Sequence, residues 1–167
     1  MEQTVRTASC ACGKVRCAGV GRPIFSGICY CLDCQEGGRR IERLPHAHAV
    51  LEADGGTAYL TYRDDRFHCT SGADLLTGYK LTEGAPTQRF VASCCASAMY
   101  LKFARGHWTS AYRNRLEGEL PPIEARSMTK HREASTPLPA DAPAYRNFPP
   151  KLIGRLLTSR VSMLLQR

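Results

Sequence analysis

The chain has 167 residues, 43% of them hydrophobic, which suffices for one domain with its own apolar core and no need of disulfide stapling. Its net charge of +8 is uneven: residues 1–98 carry 11 Lys/Arg against 10 Asp/Glu, whereas residues 99–167 carry 12 against 5. The basic character therefore belongs to the last third, and a solvated basic face is expected there rather than a nucleic-acid or membrane footprint. No run approaches the ~18 apolar residues of a transmembrane helix, and MEQTVRTAS at the start has no apolar signal-peptide segment. The expected setting is the cytoplasm, a reducing compartment where clustered cysteines more often hold metal or do chemistry than form disulfides. The nine cysteines are an odd number, so they cannot all pair within the chain.

In chain order, Cys10-Ala-Cys12-Gly13 comes first, followed by GKVRCAGVG (13–21), which reads as a strand ending in glycine. CYCLDC (29–34) places Cys29, Cys31 and Cys34 within six residues. AVLEADGGTAYLTY (49–62) has Asp-Gly-Gly between two apolar stretches, which favours a turn. Strand-like pieces run through 67–95, separated by Ser-Gly, Thr-Glu-Gly and Ala-Pro, and end in Cys94-Cys95; SAMYLKF (97–103) alternates again. This pattern predicts a mainly β domain over 1–116. Residues 117–150, rich in proline and polar groups, predict an irregular, partly mobile segment. Pro149 and Pro150 suit a helix start, and Leu152, Ile153, Leu156, Leu157, Val161, Leu164 and Leu165 recur at helical spacing. A helix over 151–167 follows, with Arg160 and Arg167 inside a wide apolar arc. Packing on a sheet face is its expected role.

Zinc takes thiolates at ~2.3 Å in a tetrahedron, so seven cysteines in three clusters cannot share one mononuclear site, and two sites divide them naturally. One would join Cys10 and Cys12 to Cys94 and/or Cys95, tying the start of the domain to a strand some eighty residues later. The other would use Cys29, Cys31 and Cys34 and leave a fourth position open, the mark of a catalytic zinc. Zn²⁺ with three thiolates is net −1 and suits a soft ligand such as a substrate thiolate. Two alternatives stay open: completion of CYCLDC as a structural site by Cys69, Cys94 or His46/His48, and thiols without metal. Cys17 and Cys69 read as packing residues, with Cys69 in reserve as a ligand. Asp33 is a candidate proton acceptor or turn residue, and Arg39, Arg40 and Arg43 a candidate anion subsite or plain solvated run.

SCACGKVRC (9–17) followed by CYCLDC (29–34) resembles the glutathione-dependent formaldehyde-activating enzyme family, which includes centromere protein V. The resemblance covers roughly residues 8–105. It implies a β-tent fold of the Mss4-like type with a C-terminal helical extension, two Zn²⁺ ions per chain, and a carbon–sulfur lyase that condenses formaldehyde with glutathione. By that resemblance Cys10 and Cys12 match structural-zinc ligands, and Cys29, Cys31 and Cys34 match catalytic-zinc ligands. In RFVASCCAS (89–97), Cys95 matches the second cysteine of the family's last motif. Ala92 stands at the first cysteine's position, Ala96 where glycine is usual, and Cys94 is additional. Either Cys94 and Cys95 both ligate, or Cys95 ligates with another group. After Cys34 the chain reads Gln35-Glu36-Gly37-Gly38 where members carry a more basic stretch, a departure that bears on glutathione, whose two carboxylates prefer cations. The functional expectation is a zinc-dependent carbon–sulfur lyase acting on a small thiol such as glutathione or its aldehyde adduct. The alternative is a non-enzymatic zinc-binding module that uses its basic C-terminal region on an acidic partner, nucleic acid or membrane.

Overall fold

The computed structural model describes residues 4–133, 135 and 137–165. The fold is mainly β, and the described residues form two sheets and two α-helices. Strands β1 (Val5–Ser9), β2 (Arg16–Val20) and β5 (Phe67–Ser71) form a three-stranded antiparallel sheet in the order β1-β2-β5. The second sheet has seven strands: β3 (Phe25–Cys29), β4 (Thr57–Arg63), β6 (Leu76–Tyr79), β7 (Thr87–Ala92), β8 (Ser97–Phe103), β9 (Trp108–Tyr112) and β10 (Ala125–Ser127). Their order is β10-β3-β4-β9-β8-β7-β6, antiparallel except for the parallel pair β10–β3. Helix α1 (Leu32–Glu42) follows β3 directly, and α2 (Pro150–Leu165) is the last element among the described residues.

Strand β4 lies inside the large sheet and is buried on both faces, which its sequence TAYLTYR permits. Leu60 and Tyr62 pack with Ala8, Val15, Cys17, Ala92, Met99 and Ala111, so the two sheets bury each other. Tyr59 turns the other way, toward Ile41 of α1, Val91, Leu101 and Tyr112. The large sheet is thus sandwiched between the small sheet and α1. Cys10 belongs to the first of these cores and Cys34 to the second.

The sequence signals for β2 and β8 correspond to observed strands, and 67–95 yields β5, β6 and β7. The apolar stretch 49–51 remains outside any strand, because Val50 and Leu51 give their backbone N–H groups to the Glu42 carboxylate instead of to a neighbouring strand. Most of the described residues of 117–150 lack regular secondary structure, yet Ala125–Ser127 forms β10 beside β3. Arg126 anchors it: nearly fully buried, it donates to Asp54 at 2.7 Å, to Asp141 at 3.0 Å, and to the Tyr30 hydroxyl. Tyr30 sits between Cys29 and Cys31, so this network also fixes the backbone of CYCLDC. Helix α2 rests Leu152 and Leu156 on Ile24, Phe25, Trp108 and Ala125. Arg155 donates to both oxygens of Glu124 at 2.7 Å, while Ile153, Leu157, Val161 and Leu164 face outward. Among the described residues no helix is long and apolar enough to cross a membrane.

Candidate metal centres

The sulfurs of Cys10, Cys12, Cys94 and Cys95 all lie within 4.8 Å of one another. Four thiolates at ~2.3 Å from one tetrahedral ion would stand roughly 3.8 Å apart. The measured separations match: Cys10–Cys12 3.5 Å, Cys10–Cys94 3.9 Å, Cys12–Cys94 3.3 Å and Cys94–Cys95 3.9 Å. Two turns build the group. After β1 the chain reverses at Gly13, whose φ of 77° suits glycine, and the Val15 N–H donates to Cys10 Sγ at 3.2 Å. Between β7 and β8, residues 93–96 form the second turn, with Ala96 in the left-handed region at φ 50°. The Ala11 N–H reaches Ser97 Oγ at 3.0 Å and joins the turns. Burial alone would raise the Cys95 thiol, but the Ser97 hydroxyl and the Cys12 backbone N–H hold it down, to about 6. Both Cys94 and Cys95 therefore belong to this group, and Ala92, where the resembled motif has cysteine, is a core residue with no exposure.

Cys29, Cys31 and Cys34 form the second group, their sulfurs likewise within 4.8 Å of one another. Cys29 ends β3, and Cys31 is the N-cap of α1, its sulfur accepting from the Cys34 N–H at 3.4 Å. A thiolate there faces the positive end of the helix dipole. Tyr59 donates its hydroxyl to Cys34 Sγ at 3.6 Å. The Cys29 thiol, then the Cys34 thiol and backbone N–H, and the nearby Arg89 guanidinium, hold Cys31 down to about 3 against the effect of burial. Cys29 is raised to about 12 by its bond to Cys31, and Cys34 is raised by Cys29, Cys31 and burial. Helix α1 is clamped in place by Gln35, which donates to the carbonyls of Tyr30 and His131 at 2.7 Å each.

Arg89 of β7 is the cation behind this second group. It is 2% exposed, and Nη2 donates to the Asp33 carbonyl at 2.6 Å. Among the described residues its buried Nε and Nη1 have no hydrogen-bond partner, nor has the buried Tyr112 hydroxyl. The guanidinium fits because α1 presents glycine: a Cβ on Gly37 would stand 2.1 Å from Arg89 Nε.

Neither His46 nor His48 joins the second group; both are exposed in the segment after α1. Asp33 is exposed, and its backbone carbonyl is what engages Arg89. Arg39 and Arg40 are ion-paired to Glu36, and Arg39 also to Glu133. Arg43 donates its backbone N–H to the Arg39 carbonyl at the end of α1. Cys69 lies instead against Cys17, with 2.6 Å between the sulfurs. Sequence reasoning missed Arg89, Tyr59 and this pairing. Arg89 was detectable only as a charged residue inside an otherwise strand-like run, and the Cys17–Cys69 contact depends on strand register.

No protein-family model and no curated protein matches this chain. A crystal structure of a Rhodobacter sphaeroides protein from a structural genomics programme is similar, at 18% identity and a TM-score of 0.46, over 69% of this chain and 91% of that one. What the chain itself defines is a mainly β protein with two cysteine groups that can each hold a metal ion.

Proposed function

We propose that the protein is a two-zinc carbon–sulfur lyase of the glutathione-dependent formaldehyde-activating type, with the β-tent architecture of that family. The observation that carries the reading is the asymmetry of the cysteine groups: four sulfurs at tetrahedral spacing in one, three in the other. The four-sulfur group would be a closed structural site. In the three-sulfur group no further Cys, His, Asp or Glu among the described residues joins the ligands, which suits a position kept for a substrate thiol.

A zinc ion held by Cys29, Cys31 and Cys34 would supply the positive charge that keeps such a thiol ionised at neutral pH. The chain's own groups then divide the remaining work. The N-terminus of α1 and the Arg89 guanidinium offset the negative charge of the cysteine sulfurs. Tyr59 fixes Cys34, and Asp33 stands exposed beside the ligands, able to take the substrate's thiol proton. In the condensing direction the substrate sulfur gives its electron pair to the aldehyde carbon and a C–S bond forms. The carbonyl π pair moves to oxygen, which takes up a proton; cleavage is the reverse, and neither direction needs an oxidant. Cytoplasmic residence and a small thiol such as glutathione belong to the same proposal.

The test is elemental analysis of protein purified without added metal, for wild type, Cys31→Ser and Cys12→Ser. Two zincs in wild type are expected, with Cys31→Ser folded and holding one, and wild type alone accelerating S-hydroxymethyl adduct formation from glutathione and formaldehyde. A single zinc that is untouched in Cys31→Ser would end the lyase reading and leave a zinc-binding module.

A further inference from the structure

The two metal groups take seven of the nine cysteines, and the remaining two, Cys17 and Cys69, are not scattered. They are register partners on the antiparallel pair β2–β5, with their sulfurs 2.6 Å apart. Two sulfurs in ordinary van der Waals contact stand roughly 3.6 Å apart, so these side chains are aimed at one another well inside contact. Directly opposed residues on antiparallel strands have Cα atoms ~4.5–5.5 Å apart, inside the ~4.4–6.8 Å window that a disulfide spans. The ladder adapts just here: Arg16 pairs with Ser71 while Cys17 pairs with Cys69, leaving Thr70 as an extra residue in β5. No third ligand joins the two sulfurs among the described residues, so the pair does not form a metal group.

We infer that Cys17 and Cys69 form a thiol–disulfide exchange site whose substrate is a low-molecular-weight disulfide. The two members have different access, which orders the steps. Cys17 has no exposed surface, whereas Cys69 is half-buried. The Cys69 thiolate attacks one sulfur of the incoming disulfide, forming a mixed disulfide and releasing one thiol. Cys17 then attacks Cys69 Sγ, its thiol proton passing to the departing thiolate, which closes the Cys17–Cys69 bond and releases the second thiol. Two protein thiols are oxidised and one external disulfide is reduced to two thiols, so electrons and protons balance. This inference stands independently of the lyase reading, because it uses neither metal group.

The experiment equilibrates the full-length protein as purified with glutathione disulfide and glutathione at a series of ratios, traps free thiols by alkylation after denaturation, and maps the peptides without reduction. Alkylated cysteines are expected to fall from nine to seven, with a single linked peptide pair containing Cys17 and Cys69 and with metal content unchanged. Cys17→Ala, which keeps a small apolar group in the core, is expected to halt at a glutathione adduct on Cys69, and Cys69→Ser to leave Cys17 unmodified. The inference is overturned if both cysteines stay alkylated at ratios that fully oxidise a free dithiol control. It is overturned equally if a cysteine of either metal group oxidises first, or if Cys17 is modified as readily as Cys69.

Discussion

Gly37 and Gly38 sit in mid-helix, where glycine costs about 1 kcal/mol relative to alanine, so on propensity alone either alanine substitution would stabilise α1 by that amount. Their surroundings separate them. A Cβ at Gly38 would meet the end of Leu51, with Cδ2 at 2.5 Å, and Leu51 is partly exposed in a loop and free to swing aside. A Cβ at Gly37 would meet Arg89 Nε at 2.1 Å and Cζ at 2.6 Å, in the middle of a buried side chain tied to the Asp33 carbonyl. Relieving that overlap means overpacking, at about 1–3 kcal/mol, and loss of a charge-assisted hydrogen bond, at about 1.5–3 kcal/mol. With the propensity gain subtracted, Gly37→Ala is expected to destabilise by about 1.5–5 kcal/mol, while Gly38→Ala lies within about 1 kcal/mol of wild type. Urea unfolding of both variants measures this, and a cycle with Arg89→Ala isolates the cause: in that background Gly37→Ala should recover its propensity gain, a coupling of at least about 2 kcal/mol. Equal midpoints for the two glycine variants, or no coupling to Arg89, would refute the account of why α1 carries glycine here.

Two further outcomes follow from single residues. Ala96 holds φ 50°, a region that costs an L-residue about 1–2 kcal/mol and glycine little, so Ala96→Gly should raise stability by about 0.5–1 kcal/mol with metal content unchanged; a lower melting temperature would count against it. Burial would raise the Glu124 carboxyl, but Arg155 and Lys151 outweigh it and hold the group below the usual carboxylate range. A depressed carboxyl contributes stability above its unfolded value, near 4.3, and that contribution is lost as pH falls through the folded value. The protection factors of α2 amides, which are exchange rates taken relative to the intrinsic rate at each pH, should therefore fall in acid by an amount worth about 1 kcal/mol, and in Glu124→Gln they should already be lower at neutral pH with little further acid response.

The parts of the molecule that could be read in advance are those encoded locally. β8 follows from the alternation in SAMYLKF, and α2 from apolar spacing after Pro149-Pro150, because period and breaker residues act within a few positions. The cysteine clusters themselves were also legible, since Cys-x-Cys and Cys-x-x-Cys spacings are local signals, whereas the presence of both Cys94 and Cys95 beside Cys10 and Cys12 depended on the turn at 93–96. Helix α1 was not: eleven residues with two central glycines lack a helical signature, and tertiary anchors hold the element, with Gln35 bound to Tyr30 and His131. β10 escaped for a similar reason, as three residues within a proline-rich stretch become a strand only when Arg126 finds Asp54 and Asp141. The Cys17–Cys69 contact needed the register of β2 against β5, which no local pattern specifies.

Charge explains why two groups built from one ligand type should differ. Four thiolates around a divalent cation leave net −2, and the first group can bear this because Cys12 is exposed and water solvates the excess. Three thiolates leave net −1, and the second group has less solvent to draw on, with Cys34 buried and Tyr59 and Tyr112 packed behind it. Its compensation is internal: the first turn of α1 supplies a partial positive charge, and Arg89, whose Nε and Nη1 have no hydrogen-bond partner among the described residues, supplies a full one. The residues after Cys34 serve the same end, since Gly37 leaves room beneath α1. With no side chain at Gly37, a cation can enter from β7 beneath the helix instead of being carried on it. The cation is then fixed by the sheet, so the charge balance of the second group depends on how α1 docks and less on Arg39 and Arg40 of α1, which are held by Glu36 and Glu133.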